Sequence, residues 1–203
     1  MNPIKKLPKI IKTERLEMRQ LDVTPENAQL VFDAVKDENP DDFRFGPICE
    51  SANVPRSADE MYQQMRRDQR WCAVNGVEFY IFLDGRMIGY RRIHFFDDMS
   101  KTLQSSHAWL VRSAWGQGFA SETYRALEQI AFETLGARRI TRQCDTRNVR
   151  SANSIRAAGF QMYGIRHGGG MYPNGERYDN MLWVKEPPAG AGITFADVLE
   201  TQN

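Results

Sequence analysis

The sequence predicts an α+β protein built on a mixed, mostly antiparallel sheet. A meander comes first: strand-like runs at 77–83 and 87–96 flank Asp84-Gly85-Arg86, and a third run follows at about 105–111. An Asp-Gly pair between apolar runs is a strong hairpin signal. A long amphipathic helix then begins at a glycine-spaced turn, RSAWGQGFASET over 112–123. Beyond it, strand and helix signals alternate until two strands close the chain, so the sheet gains antiparallel and parallel neighbours.

Each element has a local reason. Residues 14–21, ERLEMRQL, alternate apolar and polar at Leu16 and Met18 and read as a strand. Thr24-Pro25-Glu26 supplies an N-cap, a proline at the first helical position and an acid, so a helix follows to about Lys36. Residues 38–56 are rich in Asp, Asn and Pro and read as loop. Ser57, with Glu60 three residues on, is a second capped start, and that helix runs to about Trp71. After the meander, Tyr124, Leu127, Ile130, Ala131 and Leu135 keep helical spacing, and Gly136 supplies a stop. A strand at 138–144, a short helix at 149–158, a strand at 159–166, a Gly-rich loop at 168–175 and a strand at about 177–185 follow. Residues 1–186 therefore read as one domain, and Pro187-Pro188 opens a tail over 187–203.

The bulk numbers narrow the function. A chain of 203 residues with 41% apolar and 26% charged residues is of ordinary globular composition. A net charge of +1 gives no general grip on polyanions, so no nucleic-acid partner is expected. The longest apolar run, about 79–83, falls far short of a membrane span of about 20 residues. Cys49, Cys72 and Cys144 make no C-x-x-C pair, which points away from zinc and redox motifs and toward reduced thiols in the cytoplasm. The N-terminus, MNPIKKLPKIIK, lacks the apolar stretch of a signal peptide.

Three stretches carry chemistry. Residues 116–121, GQGFAS, sit where a strand ends and a helix begins, the place where backbone N–H groups and a positive dipole end receive phosphate. A dinucleotide fingerprint would need glycine at Ser121, and a P-loop would need a lysine that is absent, which leaves a coenzyme A loop or a plain tight turn. Residues 167–170, HGGG, match an esterase oxyanion loop, but no G-x-S-x-G elbow exists, so they read as a loop between the last two strands. In 148–160, NVRSANSIRAAGF, Asn148 caps a helix that Gly159 ends, and Asn148 and Ser151 place polar groups beside the glycine turn. Arg138, Arg139, Arg142, Arg147, Arg150 and Arg156 concentrate positive charge in the same region, as a solvated face or as a site for an anion.

Together these residues resemble the GNAT superfamily of N-acetyltransferases, and within it the Rim-type branch that acetylates N-terminal amines of ribosomal proteins. Thr13-Glu14-Arg15-Leu16 matches at the first strand, Trp115 to Glu122 at the coenzyme loop, and Asn148, Ser151 and Gly159-Phe160 downstream, so the likeness covers about residues 12–185. It implies a GNAT-like sheet with a splayed strand pair and flanking helices, acetyl-CoA as cosubstrate and no metal. Coenzyme A would be held by backbone at Leu110, Val111 and Arg112, by the turn Gly116, Gln117, Gly118, Phe119, Ala120 and Ser121, and by Asn148, with Arg156 or the arginines near 147–150 on the 3′-phosphate. Two positions depart from the family pattern. Trp115 stands where Arg or Gln is usual, and Ile155 falls where many members carry the tyrosine that protonates the leaving thiolate. Ser151 takes the acid's place by resemblance.

The implied reaction is direct attack of a neutral amine on the thioester. An amine with a pKa of roughly 8–10 must first lose a proton. His107, on the third meander strand, reads equally as the base and as a surface histidine of the meander, with Asp145 the weaker candidate base; Glu122 reads as a structural acid at a helix N-terminus. The acceptor is a protein N-terminus, or a small amine such as a polyamine, amino sugar, amino acid or antibiotic. Asp41, Asp42 and Glu50 read as a solvated loop first, and as a group that attracts a cationic amine second. A homodimer is expected from the branch, and a silent acyl-CoA-binding module is the alternative to an enzyme.

Overall fold

The computed structural model describes residues 7–39, 42, 55–97, 99–172 and 174–187. One sheet of eight strands organises them, in the order β1-β2-β3-β4-β5-β6-β8-β7. The strands are β1 (Ile10–Lys12), β2 (Leu16–Arg19), β3 (Val77–Leu83), β4 (Arg86–Asp97), β5 (Thr102–Leu110), β6 (Arg139–Asp145), β7 (Gln161–Met171) and β8 (Arg177–Lys185). Every neighbouring pair is antiparallel except β5 with β6, which run parallel. The helices are α1 (Pro25–Val35), α2 (Ala58–Asn75), α3 (Phe119–Gln129) and α4 (Val149–Ala157).

The caps predicted from sequence form as expected. Thr24 Oγ1 accepts from Asn27 N, and Ser57 Oγ accepts from Glu60 N while Glu60 Oε2 accepts from Arg56 N. α2 continues to Asn75, one turn past the predicted end at Trp71, and β2 is shorter than the predicted 14–21. The predicted helix to Leu135 is α-helical only to Gln129; Ile130–Thr134 widen into a π-helical turn.

The glycines of 168–170 are strand, not the loop expected from composition. Gly168 to Gly170 lie inside β7, at a register shift between Arg166 and Gly170. The Asp179 carboxylate of β8 accepts from Gly168 N at 2.8 Å and meets His167 Nδ1 at 2.9 Å, so polar partners that composition does not reveal carry the strand through the glycines. The tail from residue 188 onward lies outside the described residues.

Alternation along β4 sorts the two faces of the sheet. Tyr90 faces Val31 of α1 and Met61 and Met65 of α2, whereas its neighbour Arg91 reaches Thr123 of α3. Helices α1 and α2 therefore cover one face and α3 the other. Phe79, Ile81, Ile93, Leu103, Ile155 and Trp183 are among the most deeply buried side chains.

Gly89 lets β4 and β5 approach at the end nearest the site. A Cβ there would lie 2.4 Å from the Trp109 carbonyl oxygen and 2.5 Å from Leu110 Cδ2. Gly89→Ala is expected to push the strands apart and cost about 1–3 kcal/mol, read as a lower urea midpoint at unchanged slope.

Candidate active site

The parallel pair β5–β6 is joined over three residues only: Thr102 with Arg139, Leu103 with Ile140 and Gln104 with Thr141. Beyond them the strands part. Two bulges sit at the parting. Arg91 pairs with Ala108 and Arg92 with Ser106, so His107 is surplus in β5; Ile93 pairs with Ser105 and Phe95 with Gln104, so His94 is surplus in β4. Bulges bend and twist the strand that carries them. A cleft of about 450 Å³ fills the wedge. Among the residues expected from sequence, it is lined by His107, Leu110, Gly116, Gly118, Phe119, Ala120, Ser121, Asn148 and Ser151.

The remaining expected residues sit beside it. Val111 N donates to Ile88 O at 2.9 Å, inside the sheet. Arg112 N turns outward and donates to Glu38 Oε2 at 2.8 Å. Gln117 Nε2 donates back to Ser113 O. Arg156 does not line the cleft; it bonds Asn153 Oδ1 and lies over Trp183, and of the arginines expected for the 3′-phosphate it is Arg150 that lines the cleft. Asp42 lines the cleft too and pairs with Arg112 at 3.2 Å, and Asp41, Glu50 and Cys49 lie outside the described residues.

The glycine turn is held open from outside. Gly116 and Gly118 have φ of +73° and +81°, left-handed values that favour glycine. Gly118 then caps α3, whose first N–H groups face the cleft mouth. A cradle of this kind, on a helix N-terminus and open to a deep wedge, fits a pyrophosphate with an elongated tail. Trp115 adds no phosphate ligand: its Nε1–H donates to Leu110 O at 2.7 Å and its ring lies 3.6 Å beneath the Arg150 guanidinium. Glu122, buried on the first turn of α3, accepts from the Thr13 hydroxyl, from Arg15 N at 2.9 Å and from Arg15 Nε at 2.8 Å. Arg15 also donates to Gln117 O and lies over the Phe119 ring. The Thr13-Glu14-Arg15 segment thus ties β2 to the turn, and Glu122 is the knot.

The titratable groups divide into held and available. Asp145 is buried, which raises its pKa, but bonds from Arg147 and Tyr172 outweigh that and hold it below the usual carboxylate range. It is therefore a poor base. Tyr172, bonded to it, is pushed up to about 12 by burial and by that carboxylate. His107 is half-buried, and its Nδ1 lies 3.1 Å from His94 Nε2. Asn148 Oδ1 caps α4 by accepting from Ser151 N, and the Ser151 side chain meets the Cys144 thiol, which burial pushes up. Among the described residues, no group of three or more His, Cys, Asp or Glu side chains is placed to hold a metal.

Sequence reading missed a buried group at the closed end of the cleft. Arg91 and Arg142 stack on the Tyr124 ring, 3.9 Å and 4.1 Å from its centroid. Tyr124 entered as a core position on α3 and Arg142 as one of six basic residues in its region. Arg91 stands in a run, YRRI, whose two arginines point to opposite faces, and nothing local marks it.

The chain matches the model of the acetyltransferase (GNAT) domain over residues 15–161. The chain belongs to the GNAT acetyltransferase family. As a member it is an acetyl-CoA-dependent N-acetyltransferase. Similar folds include RimL, a ribosomal L7/L12 alpha-N-protein acetyltransferase solved with coenzyme A, at 20% identity and TM-score 0.69 over 87% of this chain and 97% of that one. The microcin C7 self-immunity acetyltransferase MccE, solved with acetyl-CoA and AMP, is similar at 15% identity and TM-score 0.76 over 89% and 98% of the two chains. A Chromobacterium violaceum protein of the GNAT family is similar at 19% identity and TM-score 0.75 over 89% and 92%. No curated protein sequence matches.

The Glu122 knot makes a pH-dependent prediction. Burial raises the Glu122 pKa, but Thr13 and Arg15 outweigh it and the net shift is downward. A folded-state pKa below the unfolded value gives stability that is complete above about 4.5 and is lost as pH falls through the folded value. Glu122→Gln is expected to cost about 1–3 kcal/mol at pH 7, the gap to the parent narrowing below pH 4.5 in urea unfolding.

Proposed function

We propose that the enzyme acetylates the N-terminal α-amine of a protein in the cytoplasm. The observation that carries the transferase half is the wedge itself: a cradle for an anion at its mouth, and beyond it a cleft in which a thioester is sheltered from water. Fold similarity to RimL supports the acceptor half. Similarity to MccE is the reason to hold a small amine as the second reading.

Acetyl-CoA supplies the activated acetyl group. The chain's own part starts with the outer edge of β5. Because Val111 N bonds Ile88 O, the N–H of Leu110 points away from β4, toward the cleft, where it is placed to polarise a carbonyl oxygen that gains charge. His107 is the base. In the tautomer whose Nδ1–H donates to His94 Nε2, the lone pair that takes the amine proton is the one on Nε2. Ser151 is the proton donor at the sulfur end of the cleft, set by the Asn148 cap of α4.

Thiol release from acetyl-CoA over a panel of N-terminal peptides and small amines tests the acceptor: peptides should turn over, and turnover confined to small amines would overturn that half. His107→Gln should remove the acidic limb of the kcat/KM profile and lower the rate by about 10²–10⁴-fold. An intact limb would place the base elsewhere. Ser151→Ala should slow kcat with little change in KM, and a normal rate with an unchanged pH profile would remove Ser151 from the mechanism.

A further inference from the structure

His94 and His107 are each the surplus residue of a bulge, His94 in β4 between Ile93 and Phe95, His107 in β5 between Ser106 and Ala108. His107 lines the cleft. His94 lies against Trp71 of α2, with ring centroids 4.5 Å apart. Just past α2 stands Gly76, where a Cβ would lie 2.1 Å from Ile93 O and 3.1 Å from His94 Cα, so the end of the helix closes directly on the bulged strand. His94 is held from that side, and its Nε2 lies 3.1 Å from His107 Nδ1.

Two neutral imidazoles carry two protons on four ring nitrogens. In this pair one proton lies between His94 Nε2 and His107 Nδ1. The other sits on an outer nitrogen, His94 Nδ1 or His107 Nε2. Both placements fit the same heavy-atom geometry, with opposite chemistry. With the outer proton on His107 Nε2, the ring on the cleft wall has no lone pair for an amine proton. With it on His94 Nδ1, His107 Nε2 is a base. Once that base is protonated, its bond to His94 becomes charge-assisted. A second charge on the pair is disfavoured at this separation. Around the pair, Arg92 is matched by Asp68 and Glu78 and lies 5.0 Å from the Trp71 ring. The cleft that His107 lines also holds Arg91, Arg142 and Arg150, while its acids Asp42 and Asp145 are paired with Arg112 and Arg147. Those surroundings press the pair toward no more than one charge.

We infer that His94 is the positioning residue of the base: it keeps the outer proton of the pair on its own Nδ1 and accepts the Nδ1–H of His107, so that His107 Nε2 carries the lone pair that takes the amine proton. The inference rests on the reading of His107 as the base. In the transfer one N–H bond of the amine breaks and one forms at His107 Nε2. The shared proton stays between the two rings, and the added one is later lost to solvent.

The chain has three histidines, so nitrogen NMR of the labelled full chain resolves the pair, with the exposed His167 as reference. Where the pair is neutral, both of its rings should carry hydrogen on Nδ1. Hydrogen on His107 Nε2 under those conditions overturns the inference. Kinetics over the peptide panel give a second test. His94→Phe should lower kcat about tenfold or more, with little change in the KM for acetyl-CoA, and move the acidic limb to lower pH, because the protonated base loses its acceptor. His94→Gln, whose Oε1 accepts in place of Nε2, should return the limb toward that of the parent. Parent-like kcat and limb in His94→Phe overturn the inference, and the proposed function stands if His107→Gln removes the limb. An intact limb in His107→Gln overturns the base and its positioning together. The spectra need neither acceptor nor variant, so they decide alone if His94→Phe fails to fold.

Discussion

Three residues of parallel pairing hold β5 to β6, and the site depends on that pairing being so short. Had it continued, Leu110 would turn its outward N–H to β6 and there would be no wedge. What stops it is local: two bulges, one in each of β4 and β5, redirect β5 as it leaves Gln104. The sheet tolerates the gap because each half is anchored elsewhere. On one side β2 to β5 share an antiparallel ladder, and on the other β6 is locked to β8 over six residue pairs, from Ile140–Lys185 to Asp145–Asn180. The missing hydrogen bonds leave backbone groups at the mouth that find other partners: the Leu110 carbonyl takes the Trp115 indole and the Arg112 N–H takes Glu38.

A gap in a sheet is useful only if its mouth is rigid. The glycine turn has no side chains with which to fix itself, and its left-handed residues give it backbone freedom that must be restrained from outside. The restraint is the bond set between Thr13, Arg15 and Glu122, which joins the first strands to the first turn of α3. It accounts for why a carboxylate is buried there without titrating upward, and why the N-terminal segment of a chain whose chemistry lies a hundred residues later bears on the site. The Arg150–Trp115–Arg112 stack closes the other side of the turn. In this chain Trp115 acts as a brace, its indole N–H on Leu110 O and its ring under Arg150.

Local rules made most of the elements legible. Proline and capping residues set the starts of α1 and α2, Asp84-Gly85 set the hairpin, and helical spacing set α3. The errors fall where distant partners decide. β7 enters its three glycines with Gly168 N and His167 held by Asp179 on the next strand and leaves them with Gly170 paired to Tyr178, and α3 widens at Ile130 although its periodicity does not change. The same holds at the site. The glycine turn, Asn148 and Ser151 are readable because the signal is a spacing within one segment. The arginine pair is not, because Arg91 and Arg142 become neighbours only when β4, β6 and α3 converge on Tyr124. Its one advance sign was a cluster of six arginines, which local reading could not resolve into a single inward-facing member.

The two surplus histidines bring the structural and chemical halves together. A bulged residue is released from the alternation that dictates where its neighbours point. His94 and His107 are released on adjacent strands at the same level, and they meet at 3.1 Å with the Trp71 ring against His94. The irregularity that opens the wedge therefore also brings two imidazoles together, His94 against Trp71 of α2 and His107 on the wall of the cleft. The α3 face carries Arg91 and Arg142 on the cleft wall, and the α2 face carries His94 against Trp71 and Arg92 against Glu78 and Asp68. The division follows from one property of β4: Arg91 and Arg92 are adjacent and face opposite ways, the first to Thr123 and the cleft, the second to Glu78 and Asp68, where its charge is neutralised. Arg92 is neutralised by carboxylates, whereas Arg91 is held by the Thr123 hydroxyl, the Ala120 carbonyl and the Tyr124 ring, so the two faces of one strand hold their arginines by different means.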